Sequence, residues 1–141
     1  MIEWSLQIDP IALWGAVLST VLAVREYLKS RIKIEVSYNF ASLPEIGNRV
    51  ILRNISTRPI TVKYWKLVKQ KNKSSKPLTP SISEPDEFFR DLVMPEHSST
   101  TLSFKNQDYF NYGEKALAGN CIYIHLYIVG EKRPIISKVY G

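Results

Sequence analysis

The sequence predicts a mainly β protein: an antiparallel immunoglobulin-like β-sandwich of about seven strands, preceded by one N-terminal apolar helix. Three observations carry this. Residues 10–24 contain no charged side chain, and Arg25, Lys29, Arg31 and Lys33 follow at once. From Arg31 onward the apolar residues recur with period two. Short strand-like segments then succeed one another, separated by Pro, Gly, Asn and Ser turns. A small barrel is the other way to close such strands. The organisation is a helical segment over residues 1–30 and a β domain over 31–141, which is long enough for a core of its own.

The helix starts at Asp9-Pro10, where the carboxylate can accept from free amides of the first turn and proline already has a helical φ. Ile11, Leu13, Trp14, Val17, Leu18, Val21, Leu22 and Val24 leave no polar face. Such a helix is buried, in lipid or in protein. The uncharged run alone covers only about 22 Å of a hydrocarbon core about 30 Å thick. Counted over residues 8–28 the segment is long enough, with Asp9 capping at one interface and Arg25 snorkelling at the other. Trp4 and Tyr27 then stand as interfacial aromatics, and Lys29 and Arg31 extend the basic flank. That flank places the rest of the chain on the cytoplasmic side of a single-span anchor in the cytoplasmic membrane. A secretory signal fits less well, because a basic leader and a small-residue cleavage site before Arg25 are both missing. Gly15, Ser19 and Ala23 form one row of small residues, and Ala12, Ala16 and Thr20 form the next. Such rows let helix backbones approach, so self-association or a partner helix is expected here.

Strict alternation follows. Ile32, Ile34, Val36, Tyr38 and Phe40 face one side, and Lys33, Glu35, Ser37 and Asn39 face the other. Pro44 and Gly47-Asn48 mark a turn, and residues 49–55 give a second strand with Val50 and Leu52 inward, closed by Asn54, Ser56 and Thr57. The third strand, over residues 60–69, is expected to carry Ile60, Val62, Tyr64 and Val68 on one face and Trp65 and Leu67 on the other. Residues 69–86, rich in lysine and proline, read as a mobile surface connection. Residues 88–93 are expected to form a short strand, and residues 99–104 another with Leu102 and Phe104 inward. Residues 106–119 read as a short helical stretch with Asp108 as its cap, its Tyr109, Phe110, Tyr112 and Leu117 covering one end of the core. Residues 121–129 and 134–140 form the clearest hairpin, with Ile122, Ile124, Leu126 and Ile128 on one face and Tyr123, His125 and Tyr127 on the other.

The net charge of +6 and a single cysteine bound the chemistry. Cys121 has no partner for an intrachain disulfide, which fits a reducing compartment. A glycine-rich phosphate loop, a paired-cysteine zinc pattern and a nucleophile elbow are all missing, so no catalytic, metal or cofactor site is expected. Cys121 and His125 share a strand face but lie about 13 Å apart along it, too far for one metal; they read as a packed thiol and a sheet-surface histidine. His97, between Glu96 and Ser98, reads as solvated turn chemistry. Glu84, Asp86, Glu87 and Asp91 form an acidic cluster, best read as a solvated loop. Lys63, Lys66, Lys69, Lys71, Lys73 and Lys76 are the most suggestive surface feature. They suit anionic headgroups, nucleic acid or an acidic partner; they equally suit a guard against pairing along an exposed strand.

Residues 9–19 (DPIALWGAVLS), Arg53-Asn54-Ile55-Ser56 ahead of Arg58-Pro59-Ile60, and the terminal hairpin carry a resemblance of layout. In this layout the chain resembles small bacterial proteins with one N-terminal membrane helix, a basic juxtamembrane segment and a cytosolic β-sandwich. The resemblance covers nearly all of the sequence, and it implies an accessory or effector role, in some cases in defence against phage. Three functions are therefore expected to compete: a membrane-tethered, non-enzymatic interaction or sensing module; a membrane-disrupting effector assembled through its helix on ligand sensing; and a soluble homo-oligomer whose basic loop binds a polyanion.

Overall fold

The computed structural model describes residues 7–141, so Trp4 lies outside the described residues. The chain forms two compact units, one ending at Arg31 and the other running from Ile32 to Gly141.

The first unit is helix α1, Pro10–Ser30. Its start is the one the sequence dictates: Asp9 Oδ1 accepts from the Ile11 amide at 3.0 Å, and proline opens the first turn. The helix runs two residues past Leu28 and stops where Arg31 turns extended, with the Ser30 hydroxyl donating to the Tyr27 carbonyl at 2.8 Å. None of its residues is buried, and it is long and apolar enough to cross a membrane.

The second unit is mainly β. It has strands β1 (Ile34–Asn39), β2 (Asn48–Asn54), β3 (Ile60–Gln70), β4 (Leu92–Met94), β5 (Ser99–Phe104), β6 (Cys121–Ile128) and β7 (Ile135–Tyr140). They build two antiparallel sheets, ordered β1-β2-β5 and β4-β3-β6-β7. One apolar cluster takes residues from both, including Val50, Leu52 and Phe104 from the smaller sheet and Val62, Trp65, Leu67, Ile124 and Leu126 from the larger. The architecture is sandwich-like.

Two face assignments differ from the sequence expectation. In β3 the register slips between Val62 and Tyr64: Val62 pairs with Ile128, but Tyr64 pairs with Tyr127 and Trp65 with Leu126. The extra residue at this bulge reverses the alternation. Ile60 and Val62 therefore share the core with Trp65 and Leu67, while Tyr64 and Val68 lie on the opposite face with Tyr123, His125 and Tyr127. The second difference concerns that opposite face. Val68, Gln70, Tyr123 and His125 are all buried on it, so His125 is an interior residue and not a sheet-surface one.

The connections also differ in part. Residues 69–86 are tied down by main-chain bonds: Leu78 to Lys69, Ile82 to Leu67, and Leu67 in turn to Ser83. Ser83 thereby continues the β4 side of β3. The strand expected over residues 88–93 shrinks to Leu92–Met94, because Asp86 turns the chain by accepting from the Phe88 and Phe89 amides, leaving Phe88 86% exposed. Residues 106–119 form a 3₁₀ turn (Asn106–Asp108) and a four-residue helix α2 (Glu114–Leu117). Asp108 caps neither; the residues at the two N-termini are Lys105 and Gly113. Phe110 and Leu117 are buried, and Tyr112 packs against the core as expected. The Tyr109 hydroxyl donates to the Ala41 carbonyl at 2.8 Å.

Strand β2 supplies the inward row Asn48, Val50, Leu52 and Asn54, all fully buried. The Asn48 carboxamide accepts from Ala41 N and donates to the Phe110 carbonyl at 2.8 Å. The Asn54 amide donates to the carbonyls of Arg58, Met94 and Pro95, and its oxygen accepts from Ser56 N. Replacing Leu52 by Ala is expected to cost about 2–5 kcal/mol of unfolding free energy, and Asn54→Leu about 2 kcal/mol or more, because it leaves buried carbonyls without a donor. Ile51→Ala, on the opposite face of the same strand, should cost clearly less than either. Urea unfolding of the three variants checks the ranking.

Candidate functional site

On α1 the small residues Ala12, Gly15, Ala16, Ser19, Thr20 and Ala23 all stand exposed. The two hydroxyls among them are turned back on the helix, Ser19 to the Gly15 carbonyl and Thr20 to the Ala16 carbonyl, each at 2.8 Å. Their polarity is thus satisfied within the helix. A Cβ on Gly15 would meet nothing within 4 Å, so this face is open to a neighbour. At the other end Arg25 and Tyr27 are exposed, and Lys29 lies 3.7 Å from Glu26.

The six lysines do not all share one face of β3. Lys63 is exposed at the bulge. Lys66 is half-buried and pairs across the strands with His125. Lys69 belongs to the other face of β3, and its ammonium donates to the Ala116 carbonyl at 2.6 Å. Only Lys71, Lys73 and Lys76 stand together in the exposed connection. β3 has β6 along one side; on the other, β4 pairs only with Ile60–Val62, and beyond it Ser83 bridges Leu67 and Leu78 bonds to Lys69.

Around His125 the structure assembles a buried polar pair that residue spacing does not announce. Gln70 donates its amide to the Asn72 carbonyl at 2.8 Å and to the Lys73 carbonyl at 3.3 Å. Its oxygen is left to face His125 Nε2 at 2.8 Å, so the imidazole carries its proton on Nε2. Burial, then the charge of Lys66, holds the His125 pKa below its ordinary value. The Lys66 charge also acts on Glu84, which the hydroxyls of Ser81 and Tyr64, and then Lys66, hold below the usual carboxylate range. Burial and the Glu84 carboxylate raise the Tyr64 pKa.

Among the described residues, no group of three or more His, Cys, Asp and Glu side chains is placed to hold a metal ion. His97 sits with φ 55° in the exposed turn after β4, and Cys121 is half-buried at the start of β6.

Two clefts in the β unit carry recognisable chemistry. One, of about 760 Å³, is lined by Tyr38, Tyr112, Tyr140, Glu114 and Cys121. Its tyrosine rings pack on one another, Tyr140 meeting Tyr38 at 5.1 Å and Tyr112 at 5.5 Å in edge-to-face fashion. The other, of about 340 Å³, runs beside β5 and is lined by Thr101, Leu102, Ser103 and Phe104, by Trp65 and Phe89, and by the carboxylate residues Glu84, Asp86 and Asp108. The Trp65 indole nitrogen is buried without a hydrogen-bond partner among the described residues, and its ring meets Phe104 edge to face at 5.8 Å. Sequence reading found Glu84 and Asp86 as a loop cluster but not the cleft, because Asp108 and β5 reach it only through the fold.

No protein-family model matches the chain, and no curated protein matches it.

The His125 geometry gives a pH dependence with a definite sign. The folded state disfavours the imidazolium, so the unfolded chain binds more protons around its ordinary pKa of 6.5. The stability from a neutral His125 is present above pH 6.5 and is lost as pH falls through the lower folded value. His125→Gln keeps a donor for Gln70 and removes the titration. Its urea midpoint should therefore fall less than that of the parent protein between pH 7.5 and pH 5.5.

Proposed function

We propose that this protein is a membrane-anchored, non-enzymatic interaction module. In this reading α1 crosses the cytoplasmic membrane once, its basic end lies on the cytoplasmic side, and the β unit binds a protein partner there. The observation that carries the proposal is α1 itself, 21 residues without a buried side chain. Its rise of about 31 Å matches a hydrocarbon core of about 30 Å. Within it Ser19 and Thr20 satisfy their own hydroxyls, and Arg25, Glu26 and Lys29 all fall in the last two turns, within snorkelling reach of an interface. The rows through Gly15 and Ala16 are read as the face on which two such helices meet.

The β unit is read more finely as immunoglobulin-like. Strand orders of β1-β2-β5 and β4-β3-β6-β7, with the chain changing sheet after β2, β4 and β5, support this. So does Trp65, a buried tryptophan on the third strand packed against Phe104 of the other sheet. Sandwiches of this class present edges and end loops to partners.

The anchor is tested on the full-length protein in bacterial membranes washed with high salt and alkaline carbonate. The parent chain should stay in the pellet. Leu18→Arg places a charge at mid-helix, at a cost of about 2.5–3.5 kcal/mol of insertion, and should move the protein toward the supernatant. Release of the parent protein as a defined soluble oligomer would mean that α1 is buried by neighbouring subunits instead. If the small-residue face pairs helices, Gly15→Leu and Ala16→Leu should each reduce helix cross-linking in the membrane while leaving the carbonate-resistant fraction unchanged.

A further inference from the structure

We propose that the free edge of β5, with the acidic cleft beside it, receives an extended lysine- or arginine-bearing peptide segment of a protein partner as a fourth strand of the smaller sheet. This deepens the reading of the β unit as a binding module and rests on that reading.

The backbone identifies the open groups. β5 ends the order β1-β2-β5. The Asn54 amide donates at 2.8 Å to the carbonyl of Ser98, the residue directly opposite it in this register. In an antiparallel ladder such pairs alternate, so Thr100, Leu102 and Phe104 turn their main-chain groups toward β2. Those of Ser99, Thr101 and Ser103 turn away from it. Among the described residues no other backbone group bonds to Thr101 or Ser103 from that side. The remaining edges are guarded: β1 carries Glu35 and follows Lys33, β7 carries Lys138, and β4 has three residues ending against Pro95. β5 extends over six residues with neither a charge nor a proline, an edge left able to pair.

The cleft states what kind of strand fits. Glu84, Asp86 and Asp108 line it and, among the described residues, no lysine or arginine does, in a chain whose net charge is +6; Lys66 acts on Glu84 from outside the lining. Two of these carboxylates are already oriented, Glu84 by the Ser81 hydroxyl at 2.5 Å and Asp86 by the Phe88 amide at 3.1 Å. Trp65, which also lines the cleft, has a buried indole N–H without an acceptor among the described residues. An added strand would bond through its main chain to Thr101 and Ser103. Its alternate side chains, about 6.6–6.8 Å apart, would project to one side, where basic groups meet the carboxylates.

The test uses the full-length protein in nanodiscs of zwitterionic lipid and three labelled eight-residue probes: alternating Lys-Thr, alternating Glu-Thr, and the Lys-Thr peptide N-methylated at alternate amides. The Lys-Thr probe should bind with an affinity that falls as salt rises, and the Glu-Thr probe should bind at least tenfold more weakly. Thr101→Pro removes an outward amide without touching the β2 ladder, and Asp86→Asn with Asp108→Asn removes charge alone; each change should weaken binding at least tenfold. Should Thr101→Pro fail to fold, as read by circular dichroism, the N-methylated probe makes the same test from the ligand side and should bind at least tenfold more weakly than its parent. Equal binding of Lys-Thr and Glu-Thr probes, or full affinity in both folded variants, overturns the proposal. So does a protein dimer dissolved by Thr101→Pro with no peptide bound, which would assign the edge to a second copy. Each of these failures leaves the membrane anchor to stand or fall on the carbonate wash; capture of an unrelated cytosolic protein by the folded Thr101→Pro variant would preserve the module and discard only this edge.

Discussion

The inward row of β2 is the constraint around which the β unit is arranged. Val50 and Leu52 form the middle of the apolar layer between the sheets, and Asn48 and Asn54 close it at either end. A fully buried carboxamide is costly unless its donors and acceptor are all engaged. Here each is engaged both by its own turn, through Ala41 or Arg58, and by distant segments, through Phe110 at one end and Met94 and Pro95 at the other. The loops at both ends are thereby fixed to one strand. With β2 held, its two neighbours β1 and β5 take their register, and β5 is left as an edge.

The larger sheet meets a different demand, since both of its faces are largely covered. The bulge in β3 makes this possible by sending Trp65 and Leu67 into the core and Tyr64 and Val68 to the other side. On that other side Gln70 and His125 satisfy one another and the turn at Asn72 and Lys73. The lysines of β3 are scattered by the same geometry: one to the bulge, one beside His125, one to the Ala116 carbonyl. The lysine count alone therefore does not describe the charge of the β unit: Glu84, Asp86 and Asp108 line one cleft beside β5, with Lys66 acting on Glu84.

The first unit is a helix long and apolar enough to cross a membrane. A helix apolar on all sides gains nothing from water, and α1 hides even its two hydroxyls in its own backbone. Charge begins only in its last two turns. The two units thus differ in composition: one helix apolar on all sides until its last two turns, and a β unit with a core of its own.

The sequence alone determined what depends on neighbours along the chain. Asp9-Pro10 set the helix start, apolar runs between turn signals set seven strands, the fourth of them several residues early, and the alternation of β2, β5 and β6 identified the core side of each, because capping and pleating are local. It did not determine what depends on meeting residues tens of positions away. Asn48 and Asn54 read as turn residues, and their burial follows only from carbonyls 40 and 62 residues distant. The bulge at Lys63 follows from matching β3 to β6, His125 from the closeness of Gln70, and the unguarded edge of β5 from the order of strands. Periodicity records which way a side chain points; only the packed sheets decide what it finds there.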